Sequence, residues 1–398
     1  MSTRARSHHD VVVIGSRCAG AATAMLLARA GHDVAVVDRS RFPSDVLSTH
    51  GLVRGGVVQL SRWGLLDDVL ATGAPAVREV TFRRDDTEIT RRIKDRAGVD
   101  HLLAPRRHIL DALLVDAAQA AGAEVRTGVT VTGLRRGSAD RVVGVDARTA
   151  EGKRIELTAR YVVGADGLRS RTAAWVGAGI HDSFTPDTAI LYMYVADPAW
   201  PAYEFHVAPD AFAGVFPTHD GEGCVWLGRP TSALTSLRTS GGDRAAALVA
   251  ELDAVSPTLA ARVRSGRITS VVRGAARLPN HVRQPVGPGW ALVGDAGYHR
   301  DPITGHGITD AFRDAELLAT AIDNSLRDPA DEHEAMAAYA TRRDAALRET
   351  YDLTKALTSF PHPDRFVELQ MQLAEALERE ADLLASFPAP AGTAAAAA

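Results

Sequence analysis

The chain has 398 residues, 46% hydrophobic and 24% charged, with a formal net charge of −4 and an isoelectric point near 6.4. These are the proportions of an ordinary globular chain of one large or two to three smaller domains, and they give no basis for nucleic-acid or membrane-surface binding. Two cysteines, Cys18 and Cys224, exclude a disulfide framework or a zinc site of their own; no stretch approaches the ~18 apolar residues of a membrane helix; and residues 1–10 carry no apolar leader, so the expected location is the cytoplasm.

In chain order, residues 11–14 form a short β-branched run, the pattern of a parallel strand buried on both faces. Gly15 breaks it, an Ala/Leu-rich helix over 19–30 follows, Gly31 closes that helix, and 34–37 is a second buried strand ending at Asp38. Strand, glycine turn, helix and strand make a βαβ unit. Residues 42–70 read as largely helical, with Leu60, Trp63, Leu65 and Leu66 as core, and 77–93 as alternating strands of a different, antiparallel sheet. An amphipathic helix is predicted over 107–121, a β-meander over 125–134, 141–146 and 154–157, and another buried strand over 159–165. Strand candidates at 190–195, 203–207, 214–217 and 224–227 predict a second, mostly antiparallel sheet. The buried-strand style returns at 290–293, helical patterns fill 308–325 and 331–384, and the Pro/Ala/Gly-rich tail is expected to be irregular.

Three strand ends carry chemistry. The first is Gly15-Ser16-Arg17-Cys18-Ala19-Gly20, between strand and helix, with Asp38 twenty-three positions after Gly15. Such glycines allow a tight turn and close helix packing, the helix N-terminus receives a pyrophosphate, and the acid accepts hydrogen bonds from a ribose diol. Arg17 stands where the usual fingerprint has its middle glycine; it either points outward and leaves the backbone free, or itself pairs with a phosphate. An α/β domain with a glycine-rich turn and no ligand is the competing reading. The second strand end is 163–171, with Asp166-Gly167. The third is Gly294-Asp295-Ala296 followed by Pro302-Ile303-Thr304-Gly305-His306-Gly307. An Asp in one such turn is ordinarily a helix cap, but each of these lies at the carboxyl end of a strand, where α/β sheets bind ligands.

This trio resembles the glycine fingerprint, the DG motif and the GD motif of the FAD-dependent class A monooxygenases, the p-hydroxybenzoate hydroxylase family with a glutathione-reductase-type FAD fold. Arg107-His108-Ile109-Leu110 is similar to that family's Arg-x-x-Leu at a helix start. The resemblance spans about 11–318 and departs from the pattern at Arg17. It implies an α/β fold in which a Rossmann-like FAD-binding domain carries an inserted antiparallel β-sheet substrate domain and C-terminal helices. The expected divisions are a discontinuous FAD domain over 8–76, 97–183 and 274–325, a substrate sheet domain over 77–96 and 184–273, a helical segment over 326–386, and an irregular tail over 387–398.

On the same resemblance, Gly15, Arg17, Cys18, Ala19, Gly20, Asp38 and Arg39 surround the ADP half of FAD, and Arg107 contacts the flavin-nucleotide backbone. Asp166 and Gly167 sit in the cleft near FAD and the nicotinamide nucleotide, and Asp295 bonds the ribityl chain. Pro302, Gly305, His306 and Gly307 bring backbone to the isoalloxazine ring, where glycines let N–H groups stabilise its charge when reduced. His50, in the segment Ser48-Thr49-His50-Gly51, is either a flavin contact or a local hydrogen-bonding residue. The implied activity is insertion of one atom of O2 into a small, aromatic or polycyclic substrate through a flavin hydroperoxide, with NADPH or NADH as transient reductant. The flavin carries that chemistry, so no obligatory catalytic side chain is expected. Tyr192, Tyr194, His206 and His219 are candidates for a substrate base, each against a structural role, and Cys18 reads as a small packing residue.

Sister chemistries share the fold. Tryptophan-type halogenation needs a Trp-x-Trp-x-Ile-Pro segment and a catalytic lysine; the segment is absent, and Lys94 is a poor substitute. Reduction of isoprenoid double bonds by the geranylgeranyl-reductase-like group is the alternative reading, and a flavin-binding protein without turnover is the non-catalytic one.

Overall fold

In the computed structural model, which describes residues 5–234 and 242–392, the run of Val11, Val12, Val13 and Ile14 lies at the centre of the first sheet, with Val11 to Val13 wholly shielded from solvent. Its strands pair in the order Val286–Gly287, Trp290–Leu292, Arg154–Gly164, Ala5–Ile14, Val34–Asp38, Glu124–Thr127, and all but the first pair are parallel. Alternation sorts the side chains. Val11, Val13, Val34, Val36 and Val163 face the helices Cys18–Arg29, Arg107–Ala120 and Gly307–Arg327. Val12, Ile14, Ala35, Val37 and Val162 face an antiparallel meander of Val129–Arg136, Val142–Thr149 and Arg154–Gly164. Each fully buried valine contributes roughly 1.5–3 kcal/mol, so a one-residue slip would exchange the two faces at great cost.

Several boundaries differ from the sequence reading for local reasons. The first strand begins at Ala5 because 5–9 pair in register with 155–159 of Arg154–Gly164, a partner that also joins the two strand candidates over 154–165 into one. Gly128, at φ +68°, splits the expected strand over 125–134 into Glu124–Thr127 on the parallel sheet and Val129–Arg136 on the meander. The long helical pattern after 331 is two helices, Glu332–Leu357 and Pro363–Ala385, because Pro361 and Pro363 lack the amide a continuing helix needs.

The second sheet runs Arg267–Ile268, Thr188–Ala196, Glu222–Pro230, Ala211–Pro217, Tyr203–Ala208, Glu79–Arg84, Thr87–Arg92. Its strands pair antiparallel except Glu79–Arg84 with Tyr203–Ala208, which is parallel because the two come from separate stretches of chain and no hairpin joins them. One face holds Ala189, Leu191, Met193 and Val195 against helices Arg244–Val255 and Pro257–Ser265, neither of which was expected from the sequence. The other face is aromatic: Tyr192, Tyr194, Tyr203, Phe212, Phe216 and Trp226 pack with Leu357, Phe366, Leu369 and Leu373 of the last two helices. Phe387 packs on the first core, and the backbone carbonyls of Phe387 and Pro388 accept hydrogen bonds from Arg62; of the stretch expected to be irregular, 393–398 lie outside the described residues. Among the described residues no helix is long and apolar enough to cross a membrane.

Helix Gly307–Arg327 ties the parallel sheet to the rest through Phe312, which is fully buried edge-on to Trp63 at 5.0 Å between centroids. Phe312→Ala is expected to cost about 3–5 kcal/mol of unfolding free energy, read from denaturant melts; a loss below about 1 kcal/mol would show that this contact does not hold the layers together.

Candidate active site

The turn after Ile14 requires glycine. Gly15 sits at φ +101°, and a Cβ there would lie 2.4 Å from the Ala165 carbonyl oxygen; one on Gly20 would lie 1.9 Å from the Gly15 carbonyl oxygen. Asp38 stabilises the same turn. One carboxylate oxygen accepts from the Ser16 amide at 2.8 Å and the Ser16 hydroxyl at 3.0 Å, and the other from the Ser40 amide at 2.7 Å. The acid expected at a ribose therefore also holds the glycine turn in shape.

Arg17 is the N-cap of helix Cys18–Arg29, and its guanidinium turns along the cleft wall to Asp111 and the Ser44 hydroxyl, both at 3.2 Å. Asp111 is fully buried and also holds Arg107, at 3.0 and 3.1 Å, and the Cys18 thiol, at 3.2 Å. Two guanidiniums share one carboxylate, so this end of the cleft keeps a net positive charge. Burial raises the Cys18 thiol pKa, which removes the thiolate that redox or covalent chemistry would need. Asp111 was missed in the sequence, although its helical i,i+4 spacing from Arg107 was the available signal.

At the second strand end the Asp166 carboxylate is committed to capping helix Arg171–Val176. It accepts from the Ser170 hydroxyl at 2.5 Å, the amides of Arg171 and Thr172 at 2.9 and 3.0 Å, and the Thr172 hydroxyl at 3.1 Å. Gly167, at φ +79°, turns the chain beside it with open space where a side chain would be.

The third strand end is different. Asp295 follows Gly294, whose added Cβ would lie 2.8 Å from the Ala19 Cβ, and its exposed carboxylate has no hydrogen-bond partner among the described residues. Pro302 and Gly305 (φ +62°) then lead into helix Gly307–Arg327, and a Cβ on Gly305 or Gly307 would meet nothing within 4 Å.

These parts enclose one cleft of about 640 Å³. Gly15, Arg17, Cys18, Ala19, Asp38 and Arg39 line one end, with Arg107, Asp166 and Gly167 along its side. Asp295, Pro302, Gly305, His306 and Gly307 also line the cleft, together with Val46, Leu47, Ile190, Tyr192 and Leu278. Gly20 lies beneath the turn and not on the cleft surface, since its role is helix contact. His50 also lies behind the wall. It is fully buried at φ +65°, stacks on Tyr194 at 5.7 Å and shares a hydrogen bond with the Tyr194 hydroxyl. Burial first, then Arg107 and Arg106, holds its pKa well below the ordinary value, so the ring is neutral.

Of the base candidates, only Tyr192 reaches the cleft; its hydroxyl accepts from the Ser48 amide at 3.3 Å, and burial raises its pKa. Tyr194 lies under the Arg106 guanidinium at 3.4 Å. His219 is engaged by the Thr72 hydroxyl at 2.9 Å and the Arg106 amide at 3.3 Å, and His206 is buried 3.5 Å from Glu204, away from the cleft. His306, Asp310 and Glu380 have metal-ligand geometry, but the Arg300 and Arg313 guanidiniums already occupy the carboxylates where a cation would sit.

The family model described as "FAD binding domain" matches residues 8–354. The chain belongs to this FAD-binding family, that of the class A flavoprotein monooxygenases. It is an FAD-dependent oxidoreductase. Among curated proteins it is 28% identical, over 79% of its length and 75% of the relative's, to the digeranylgeranylglycerophospholipid reductase of Methanosarcina mazei. It is 29% identical, over 80% and 76%, to the menaquinone reductase of Mycolicibacterium smegmatis. Among solved structures it superposes on P. aeruginosa PqsL in complex with 2-aminobenzoylacetate with a TM-score of 0.79 at 22% identity, covering 91% of this chain and 99% of the other, a likeness of fold.

The cleft fits FAD. It has a cationic helix N-terminus of the kind a pyrophosphate needs, an exposed carboxylate at Asp295 of the kind hydroxyl groups need, and open backbone at Gly305 and Gly307 with room for a flat ring. The commitment of Asp166 to its helix gives a test. Asp166→Ala is expected to lose about 0.5–2 kcal/mol of stability, read by denaturant unfolding, while the remaining folded protein keeps its flavin; unchanged stability with lost flavin would assign the carboxylate to the cofactor.

Proposed function

We propose that the protein is a monooxygenase that takes two electrons from NADPH or NADH and uses them, with O2, to oxygenate a small apolar organic substrate. The proposed FAD contacts are Gly15, Arg17, Cys18, Ala19, Asp38, Arg39, Arg107, Gly167, Asp295, Pro302, Gly305, His306 and Gly307, with His50 and Gly20 acting from behind the wall and Asp166 through the helix it caps. The observation that carries the reading is the Gly305–Gly307 end of the cleft. Backbone at the N-terminus of a 21-residue helix lines the same cleft as Val46, Leu47, Ile190 and Leu278, with Tyr192 as the one phenol among the lining residues. FAD, when bound, supplies hydride acceptance and the reaction with O2.

The chain's own residues do the rest. Asp295 would accept hydrogen bonds from the polyol of bound FAD. The helix N-terminus and the amides near Gly305 and Gly307 would stabilise negative charge on the ring of a bound flavin. Tyr192, kept neutral by burial, is a hydroxyl donor toward the substrate and not a base. The balance is one C–H bond, O2, NAD(P)H and a proton giving C–OH, water and NAD(P)+.

A second reading has its own support. The two reductase relatives are more similar in sequence than PqsL, and an aliphatic wall with one neutral phenol also suits addition of a hydride and a proton across an isolated double bond. That reaction needs no O2.

Asp295→Ala is expected to purify folded with its flavin occupancy reduced at least about tenfold, a loss of about 1.4 kcal/mol or more, consistent with removal of a charge-assisted hydrogen bond; stoichiometric flavin in this variant would overturn the placement of the polyol. Turnover with isotopically labelled O2 separates the two chemistries. Phenols, 2-aminobenzoylacetate, menaquinone and a geranylgeranyl lipid serve as probes, and products are read by mass. Labelled oxygen in a product supports the monooxygenase; gain of two hydrogens under anaerobic NAD(P)H contradicts it and establishes the reductase.

A further inference from the structure

His306 lies between Gly305 and Gly307 in the cleft wall and is itself only 1% exposed. Its Nε2 lies 2.5 Å from a carboxylate oxygen of Glu380, seventy-four residues later on helix Pro363–Ala385, while its Nδ1 is buried without a partner. Glu380 is fixed from the other side, because Arg313 Nη1 donates to its second oxygen at 2.7 Å and to Asp310 at 2.7 Å. Arg300 faces Asp310 at 2.8 Å, and the remaining Arg313 nitrogens hold Asp314 at 2.7 and 2.9 Å. The helix that carries Glu380 has little freedom to retreat. Leu384 packs where a Cβ on Gly55 would come within 3.1 Å, and Arg54 bonds Glu378 at 3.0 Å.

We infer that Glu380 is a positioning residue for the flavin-ring end of the cleft, holding His306 by Nε2 and with it the Gly305–Gly307 backbone that meets the ring. The inference rests on the reading that FAD binds with its ring at Gly305–Gly307. The physical reason is the direction of the bond. Arg313 and His306 hold Glu380 as carboxylate, its pKa lying well below the usual range despite burial, and a carboxylate only accepts. Nε2 must therefore carry the proton it donates, which fixes which ring nitrogen is committed and which is free. The C-terminal helix thereby becomes part of the cofactor's environment, and not merely a cover over the aromatic sheet.

The test compares FAD-loaded wild type with Glu380→Gln, Glu380→Asp, His306→Asn and the Glu380→Gln/His306→Asn double variant. Thermal melts and flavin occupancy are recorded first, then the flavin reduction potential by spectroelectrochemistry. Glu380→Gln and His306→Asn are each expected to shift the potential in the same direction, with the double variant shifting no further than the larger single change, because the two residues act as one unit. A Glu380→Gln protein that melts lower but keeps the wild-type potential, while His306→Asn shifts it, would overturn the role of Glu380 alone. If His306→Asn also leaves the potential unmoved with FAD fully bound, the ring is not at this loop and the underlying reading fails. Should Glu380→Gln not fold, Glu380→Asp, which keeps a charge opposite Arg313 but draws it back from His306, gives the same decision.

Discussion

The contact on which the site depends is between backbones. Where the three central strands end, Gly15 approaches Ala165 so closely that no Cβ fits, the Ala165 amide bonds the Ile14 carbonyl at 2.8 Å, and the Val293 amide bonds the Gly164 carbonyl at 3.0 Å. Gly294 then meets Ala19 at the start of the first helix. These approaches bring the glycine turn, the Asp166 cap and the Asp295 turn to one edge of the sheet, although they are separated by well over a hundred residues in the chain. The glycine turn, Asp166 and Asp295 reach the cleft from that edge.

From there the two ends of the cleft follow different physics. The Arg17 end is electrostatic: Arg17 and Arg107 are organised by the buried Asp111 at a helix N-terminus, a place that favours anions. The far end is steric. Small residues leave space beside aliphatic side chains, and of the nearby charges Arg313, Asp310 and Glu380 are locked together while Asp295 is left open to the cleft. That division suits a cofactor with a charged half and a flat apolar half, and membership of the FAD-binding family agrees with it.

What could be read in the sequence was what local spacing encodes. The βαβ unit, Gly15, Asp38 and the Gly294–Gly307 segment are short-range patterns whose backbone demands leave a mark in residue type. Asp166 was legible as a strand-end acid but not as a cap already saturated by Ser170, Arg171 and Thr172, because a motif does not report how many donors its carboxylate has met. Asp111 was within reach through its spacing from Arg107. Glu380 was not, since its partner His306 lies on another element and only the tertiary fold, with the helix break near Pro361, brings the two together. His50 was open between a flavin contact and a local hydrogen-bonding residue, and its packing and hydrogen bond with Tyr194 match the second.

The most direct test of the central claim is the visible absorbance of the purified, FAD-supplemented protein during anaerobic addition of NADPH or NADH, followed by admission of air. The account predicts bound-flavin bands that bleach with the nicotinamide and return with O2. A protein that stays colourless after incubation with FAD and gel filtration would contradict it.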